Sequence, residues 1–480
     1  MNRARPLAAV LVAATALAGC KTVGPNFAPP APPTVPGYLM IGDTPPAAAE
    51  VSLAPGAHPA GAWWKSFGSA DLDRVMDQAL SGNQTIAAAN ASLERARQLA
   101  IAAYGAQLPQ VGVTAGAEAE RINIASLGFS GFPNPTIGLY QIGATVSYDA
   151  DLFGGLRRAT EAARARLAGE AREADAAYLT LSGQTTLEAL RIATLRAQID
   201  AVNQSLADDR QVIDMVRAAE AAGGEPSSAT DSGEAQLAAD EALLPTLRLE
   251  LAEARHALAA LVGQAPANWT APDFDLAGFA EPGPVPVSLP STLVRRRPDI
   301  LAAEAGLHVA TAEVGVATAA LYPDIALSAN IAQTAIPPAN LLTYGASGWT
   351  LATNFTYPIF NGGRLRAQQR AAQAAANAAL AKYRTAVLTA FTQVADVMEA
   401  IAQDDSEIAA LRRSESTAAK AVHDDEAAYR LGGGPLLPVL DDQRRLSFAR
   451  RQLAMLQGKR LADIAQLYVA TAADWRQSRS

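Results

Sequence analysis

The pattern of apolar and polar residues predicts a β-strand that runs directly into a very long helix. Apolar and polar side chains alternate over residues 140–149, which is the period of a half-buried strand. After a turn at 151–155, residues 156–222 contain no proline and are rich in alanine, leucine, arginine and glutamate, a helix-forming composition. At about 1.5 Å per residue this helix is roughly 100 Å long. Helices of such length are typical of coiled coils and helical repeats.

The same arrangement occurs a second time along the chain. Residues 349–357 alternate in the same way, a turn follows, and residues 364–429 form another proline-free helical stretch. Phe153 and Phe360 occupy equivalent places 207 residues apart. Self-similarity on this scale indicates an internal duplication of one strand-and-helix unit.

The same alternation of apolar and polar residues predicts one further strand upstream of each of the two strands at 140–149 and 349–357. The four predicted strands lie at about residues 109–119, 138–149, 324–333 and 348–358. Each has about the length of a transmembrane strand, ~9–11 residues. Four strands cannot close a membrane barrel, because the smallest barrels have about eight and an open edge cannot face lipid. If these strands cross a membrane, several copies of the chain must share one barrel; a soluble pair of hairpins is the alternative.

Each long helix ends in a glycine-containing turn, after which the chain returns. The returning segments are again alanine-rich, and the first carries Pro245, where a kink is expected. We predict two antiparallel coiled-coil hairpins, at about residues 156–262 and 364–470.

The N-terminal residues have the pattern of a bacterial export signal. Two arginines precede a short apolar run, which ends in Leu-Ala-Gly-Cys at 17–20 and resembles the lipobox of lipoproteins. Cys20, the only cysteine of the chain, is therefore the expected lipidation site. The predicted organisation is a signal peptide at 1–19, a lipid-anchored extended segment at 20–66, a first repeat at 67–265, a proline-rich linker at 266–290, a second repeat at 291–470 and a tail at 471–480.

Charge and composition argue against several classes of function. Lys plus Arg number 39 against 47 Asp plus Glu, a net charge of −8 without a basic block, which disfavours nucleic-acid binding. No apolar run of about 18 residues follows the signal, so no transmembrane helix is predicted. The four histidines lack a second ligand at metal-binding spacing, and nucleotide and nucleophile motifs are absent. We predict no enzyme, no metal and no cofactor other than the lipid.

Four Asp-Asp doublets occur in the predicted helices, at 208–209, 404–405, 424–425 and 441–442. Paired carboxylates can act as general acids and bases, but neighbouring residues of a helix point in different directions. The doublets are therefore interpreted as solvated helix faces.

Several motifs together resemble those of the TolC-type outer-membrane efflux proteins of RND efflux systems, and in particular of their NodT-type lipoprotein branch. They are the lipobox, Phe-Gly-Gly at 153–155, Phe-Asn-Gly-Gly at 360–363, Arg-Arg-Arg-Pro-Asp-Ile at 295–300, Leu-Tyr-Pro-Asp-Ile at 321–325 and Tyr-Arg-Leu-Gly at 429–432. The resemblance covers nearly the whole mature chain. Lys21, rather than aspartate, follows the cysteine, which in this lipoprotein class implies transfer to the outer membrane.

The resemblance implies a fold and a function. The fold is an α+β membrane protein, in which four transmembrane β-strands per chain join a trimeric twelve-stranded β-barrel and the long coiled-coil helices form a periplasmic α-barrel. The function is the exit duct of a tripartite efflux system, with a homotrimer, a periplasmic membrane-fusion adaptor, an inner-membrane RND-type pump and outer-membrane lipid as partners. The alternative is a lipid-tethered periplasmic coiled-coil scaffold without a pore.

By the same resemblance, three residues after the second turn correspond to those that constrict the periplasmic mouth of the tunnel. They are Leu437, Asp441 and Arg444. Their spacing of 4 and 3 places them on one helix face, so a threefold axis would repeat them as rings, of which the aspartate ring would favour cations. An ordinary amphipathic face with an internal ion pair is the alternative.

The turns themselves are predicted adaptor contacts, again by resemblance. The residues are Gly223, Gly432 and Arg430. The chain departs from the family pattern here, since Pro226 and Pro435 stand where serine is usual. Simple chain reversal, to which glycine and proline are suited, is the alternative.

Overall fold

A computed structural model describes residues 22–40, 42–43, 53–56, 61–123, 128, 134–283 and 285–471. Cys20, the signal peptide predicted at 1–19 and most of the predicted tail lie outside the described residues. The chain divides into two compact units. The strand unit comprises Met1–Pro30, Ser92–Ala171 and Ala302–Arg384; the hairpin unit comprises Ala31–Ala91, Arg172–Leu301 and Thr385–Ser480.

Helices dominate both units. In chain order the elements are β1 (Leu53–Pro55), α1 (Ala70–Gly82), α2 (Gln84–Gly105), β2 (Gln110–Arg121), β3 (Thr136–Asp149), α3 (Gly155–Ala221), α4 (Ser227–Glu241), α5 (Leu243–Leu261), β4 (Val285–Val287), α6 (Pro290–Leu293), α7 (Pro298–Ala319), β5 (Asp324–Ala335), β6 (Ser347–Thr356), α8 (Arg364–Arg430) and α9 (Leu436–Ala470). The two halves share the order helix, two strands, long helix and returning helix.

The four predicted strands form one antiparallel sheet in the order β2-β3-β5-β6. Val113 pairs with Ala144, Ala144 with Ile331, and Ile331 with Trp349, so these side chains share one face. That face is apolar and exposed; Val113 is 75% and Trp349 79% accessible. An exposed apolar face of this kind is expected of strands that meet lipid or another protein. Among the described residues, the outer strands β2 and β6 have no strand partner on their outward edges.

The long helices α3 and α8 each contain 67 residues, as the absence of proline predicts. The expectation that no helix qualifies as a membrane span needs correction, because α7 and part of α8 are long and apolar enough by length and composition. Polar contacts argue against a span at α7. His308 Nε2 lies 3.0 Å from Glu161 Oε1 of α3, and Glu313 pairs with Arg166. A lipid-facing helix would leave such charges in hydrocarbon at high cost.

The segment that follows the lipobox lies extended on the strand unit. The buried Arg158 guanidinium donates to the carbonyl of Val23 at 3.1 Å and to Asn26 Oδ1 at 2.8 Å, and it pairs with Glu161 at 2.6 Å. The Phe27 ring stacks on His308 with centroids 4.2 Å apart. The chain next to position 20 is therefore anchored by protein contacts.

In the hairpin unit the two returning segments differ. The first breaks at Ala242, between α4 and α5, because Pro245 has no N–H to donate to the carbonyl of Glu241. The expected kink is thus present but lies three residues before the proline. The second return, α9, is one continuous helix whose Pro438 stands in its first turn, where no N–H is required.

A buried ion cluster joins α8 to α9. Arg460 Nε lies 2.5 Å from Asp405 Oδ1, and Lys459 Nζ lies 2.5 Å from Asp404 Oδ1 and 2.9 Å from Asp463 Oδ2. Burial raises the pKa of Asp404 to about 6 although Lys459 opposes this. The doublet 404–405 is therefore buried and paired, and its interpretation as a solvated face is wrong.

Candidate functional site

The two hairpin turns have the same backbone geometry. In the first, the N–H of Gly224 donates to the carbonyl of Ala219 and that of Gly223 to Glu220, at 2.9 and 2.8 Å. In the second, Gly433 and Gly432 make the equivalent bonds, both at 3.0 Å. Gly223 and Gly432 have φ of 77° and 71°. This is the Schellman helix cap, whose left-handed residue is usually glycine because a Cβ is disfavoured there.

The prolines that depart from the family pattern begin the returning helices. Pro226 and Pro435 are the N-cap residues of α4 and α9, with extended backbones at φ −78°, ψ 156° and φ −76°, ψ 157°. Neither has a side chain that can cap the helix, and in the first return the N–H of Ala229 donates to the carbonyl of Pro226 at 2.9 Å. Proline fixes φ near the required value, and the turn retains its shape without serine.

The three predicted constriction residues lie together on the first turns of α9. Asp441 pairs with Arg444, and its Oδ2 lies 2.6 Å from Arg445 Nη2. Leu437 is 75% exposed, and all three predicted residues line a groove of about 540 Å³ with Ser232 and Gln236 of α4. The internal ion pair, which belongs to the alternative of an ordinary amphipathic face, is present, and Arg444 and Arg445 remain exposed.

A second ion pair, beside Asp441 and Arg444, was missed in the sequence analysis. Arg445 Nη1 also contacts Asp442 Oδ1 at 3.0 Å. Partial desolvation and the Asp442 carboxyl raise the pKa of Asp425 on α8. The doublets 424–425 and 441–442 therefore face each other across the second hairpin, which places several acids and two arginines near its turn.

The predicted adaptor contacts lie on the surface of the turns. No described atom lies within 4 Å of a Cβ built at Gly223 or Gly432, so both glycines face open space. Arg430 is exposed and its Nη2 pairs with Glu426 at 2.8 Å. Leu431, which the sequence did not single out, is 87% exposed at the same turn. An apolar side chain beside open backbone is suited to contact with another protein.

An apolar cluster fixes the two hairpins to each other near their turns. Val212 and Val216 of α3 pack with Leu436 and Val439 of α9. Arg450 of α9 extends the contact, with Nη1 at 2.9 Å from Asp208 Oδ2.

Asp209, the other member of the doublet 208–209, has a different environment from Asp208. Asp209 is 7% exposed and faces Asp240 of α4, which is equally buried. Burial and the Asp240 carboxyl raise the pKa of Asp209 to about 7. Its interpretation as a solvated residue is wrong, although the two members of the doublet do point in different directions.

Comparison with known proteins gives one consistent result. The sequence model of the family described as outer membrane efflux protein matches residues 75–264 and 289–473. The chain is 31% identical over 423 residues to the pyoverdine export outer membrane protein OpmQ of Pseudomonas aeruginosa, covering 87% of this chain and 88% of that protein. It is 29% identical over 459 residues to nodulation protein T of Rhizobium leguminosarum bv. viciae, covering 93% and 89%. The solved outer-membrane channel OprN superposes with a TM-score of 0.87 at 26% identity, covering 95% of this chain and 100% of that chain.

Proposed function

This chain belongs to the outer membrane efflux protein family, and from that premise we propose that it is the outer-membrane exit duct of a tripartite efflux system. It passes small molecules from a periplasmic adaptor and an inner-membrane pump to the exterior. The observation that carries the proposal is a four-stranded sheet with an exposed apolar face, whose two outer edges have no partner in the described part of the chain and whose strands lead into helices of 67 residues.

The unpaired edges of β2 and β6 support assembly as a homotrimer around one barrel. Within the chain, β3 of the first half pairs with β5 of the second. The internal repeat makes β6 the counterpart of β3 and β2 the counterpart of β5, so β6 of one copy would pair with β2 of the next. Three chains then contribute twelve strands and leave no edge in lipid.

The repeat also gives the register of this contact between copies. Val146 pairs with Ala329 within the chain. Phe153 and Phe360 relate β3 to β6 by 207 residues, and Pro109 and Pro323 relate β2 to β5 by 214, so the counterparts are Thr353 and Ala115. The T353C/A115C double variant is expected to form disulfides between copies, with dimers and trimers on a non-reducing gel, because paired side chains share a face.

The matched control is T353C/T114C, whose second cysteine points to the opposite face and should cross-link weakly. Light scattering of the detergent-extracted protein should give three times the mass of one chain. A monomer that needs no detergent and forms no cross-link would contradict the channel and favour a lipid-tethered coiled-coil scaffold.

We propose that the long hairpins of the three chains line a periplasmic α-barrel and that Leu437, Asp441 and Arg444 narrow its mouth. The common groove that these residues line at the start of α9 supports this, since a threefold axis would repeat their charges around the opening. A ring of carboxylates attracts cations and repels anions at short range.

Replacing Asp441 by asparagine is expected to lower the cation selectivity of the pore. The change removes three carboxylates from the mouth and leaves Arg444 without its partner, while Arg445 keeps its contact with Asp442. The measurement is the reversal potential in a planar bilayer across a KCl gradient at low salt, where screening is weak. Asp214→Asn, at a position 80% exposed on α3, is the control. An unchanged reversal potential would show that Asp441 lies away from the permeation path.

We propose that the turns at Gly223 and Gly432, with Arg430, contact the adaptor. Their open backbone and the exposed Leu431 support this. The partners are then a membrane-fusion adaptor and, through it, an RND-type pump, which supplies the energy because no nucleotide motif is present in the sequence.

We also propose that Cys20 carries a lipid that anchors the chain in the outer membrane, and that the chain has no catalytic activity and no other cofactor. The lipobox supports the first statement, and the transport names of the relatives support the second. Labelling with radioactive palmitate is the measurement for the lipid.

A further inference from the structure

Asp209 and Asp240 form a buried carboxyl pair next to the bend of the first hairpin. Each is 7% exposed, and Arg210 and Glu241, the next residue of each helix, are ion-paired at 3.1 Å across the same interface. The Oδ2 atom of each aspartate is buried without a hydrogen-bond partner among the described residues, and the Asp240 carboxyl raises the pKa of Asp209. Two carboxyls can share a hydrogen bond only if one of them holds a proton.

The charged groups around the pair are already engaged elsewhere. On α3, Asp208 pairs with Arg450 of α9, which also lies 3.9 Å from Glu415 of α8. Arg210 of α3 pairs with Glu241 of α4 at 3.1 Å. On the side of the bend, α5 contributes Leu244 to an apolar cluster with Leu206. No basic residue occurs anywhere in α4.

This environment opposes ionisation of both carboxyls. Burial and the like charge both disfavour the second negative charge, and the pKa of Asp209 is raised to about 7. Asp209 therefore loses its proton as the pH rises through the neutral range. With the folded-state pKa above the ordinary value, the stabilisation is present at low pH and is lost as pH rises through neutrality.

The position of the pair gives this titration a structural consequence. Asp240 lies two residues before Ala242, where α4 ends and the backbone bends. Between this point and the turn, the polar contacts of α4 with α3 include Arg217 with Glu234 and Thr230 with Glu220. Separation of the two carboxylates would therefore release α4 at the bend, where the helix is already interrupted.

We propose that Asp209 and Asp240 are a proton-operated latch that holds α4 against α3 when it carries one proton and releases it when that proton is lost. In the exit duct, the latch would make the mobility of the first hairpin near its turn depend on periplasmic pH. Only this last consequence rests on the proposed function; the proton site itself does not.

Infrared difference spectroscopy and amide hydrogen exchange of the full-length protein in detergent test the latch. Between pH 6 and 8 the wild type should lose a protonated-carboxyl C=O band. After correction for chemical exchange, amides in residues 205–215 and 235–245 should lose protection by up to about tenfold, following the occupancy. In Asp209→Asn and Asp240→Asn the amide can donate to the remaining carboxylate, so the fold is retained and both changes should disappear.

Asp214→Asn is the matched control and should behave as the wild type. Subtraction of the Asp209→Asn spectrum removes the contribution of other acids such as Asp404. A band and a loss of protection that persist in both pair variants, or a wild type without either change, would overturn the latch. Bilayer conductance is read separately: a protein that forms no pore yet shows both changes contradicts the proposed function and leaves the latch intact.

Discussion

Gly458→Ala is expected to destabilise the packing of α9 on α3 by about 3 kcal/mol, at the upper end of the cost of overpacking a core. A Cβ at this position would lie 2.7 Å from both Cβ and Cγ2 of Thr194 and would overlap its hydroxyl. Thr194 cannot turn aside easily, because a β-branched residue in a helix has few rotamers and its hydroxyl donates to the carbonyl of Leu190. The measurement is the midpoint of thermal loss of the helical circular dichroism signal, together with the trimeric fraction by light scattering.

Two further variants separate this clash from a general effect of the substitution. Gly306→Ala, in α7, adds the same methyl group where no described atom lies within 4 Å, and should be neutral or slightly stabilising because alanine favours helix. Thr194→Gly in the Gly458→Ala background should recover part of the loss by removing the obstructing side chain. If Gly458→Ala melts as the wild type does, α9 does not lie as close to α3 as the structure has it.

Gly432→Leu is expected to abolish cross-linking between the hairpin turn and the adaptor. The leucine side chain would project from the turn, where a Cβ at Gly432 meets no described atom. The left-handed backbone adds a cost of about 1–2 kcal/mol for a residue with a Cβ. The measurement is the yield of a cross-link from a cysteine at the exposed position Leu431, beside Gly432, to the cognate adaptor in cells.

Gly432→Asn distinguishes obstruction from strain, because asparagine tolerates the left-handed conformation. Loss of the cross-link in both variants indicates that the turn is the contact surface. Loss with leucine alone indicates that only the shape of the turn matters. A full yield in both would remove Gly432 from the interface.

The sequence was sufficient for the elements that depend on local pattern. Alternation found all four strands, and the absence of proline found the two long helices to within one residue at each end. The ion pair between Asp441 and Arg444, which was the alternative to a constriction, followed from helix periodicity because residues three apart are neighbours on the surface. The roles of these residues, the trimer and the two-repeat division stay predictions, since they concern other chains or boundaries that the fold alone does not test.

The buried carboxyls could not be found in the same way. Whether Asp209 or Asp404 meets water depends on which helix lies beside it, and that is decided by α4 and α9, distant in sequence. The kink was predicted at Pro245 instead of Ala242 for a related reason, because a proline affects the carbonyl four residues before it. The segment that forms α4 contains four acidic residues and no basic residue, and this was the signal that could have suggested an unpaired carboxyl.

The ion cluster between α8 and α9 limits how the second hairpin can move. One helical turn of sliding displaces a side chain by about 5.4 Å, which would separate Arg460 from Asp405 and Lys459 from Asp404. Leaving such a buried charge without its partner costs about 3–5 kcal/mol. Axial displacement of α9 along α8 is therefore costly, and bending of the hairpin between the cluster and its turn is the motion that keeps these ion pairs intact.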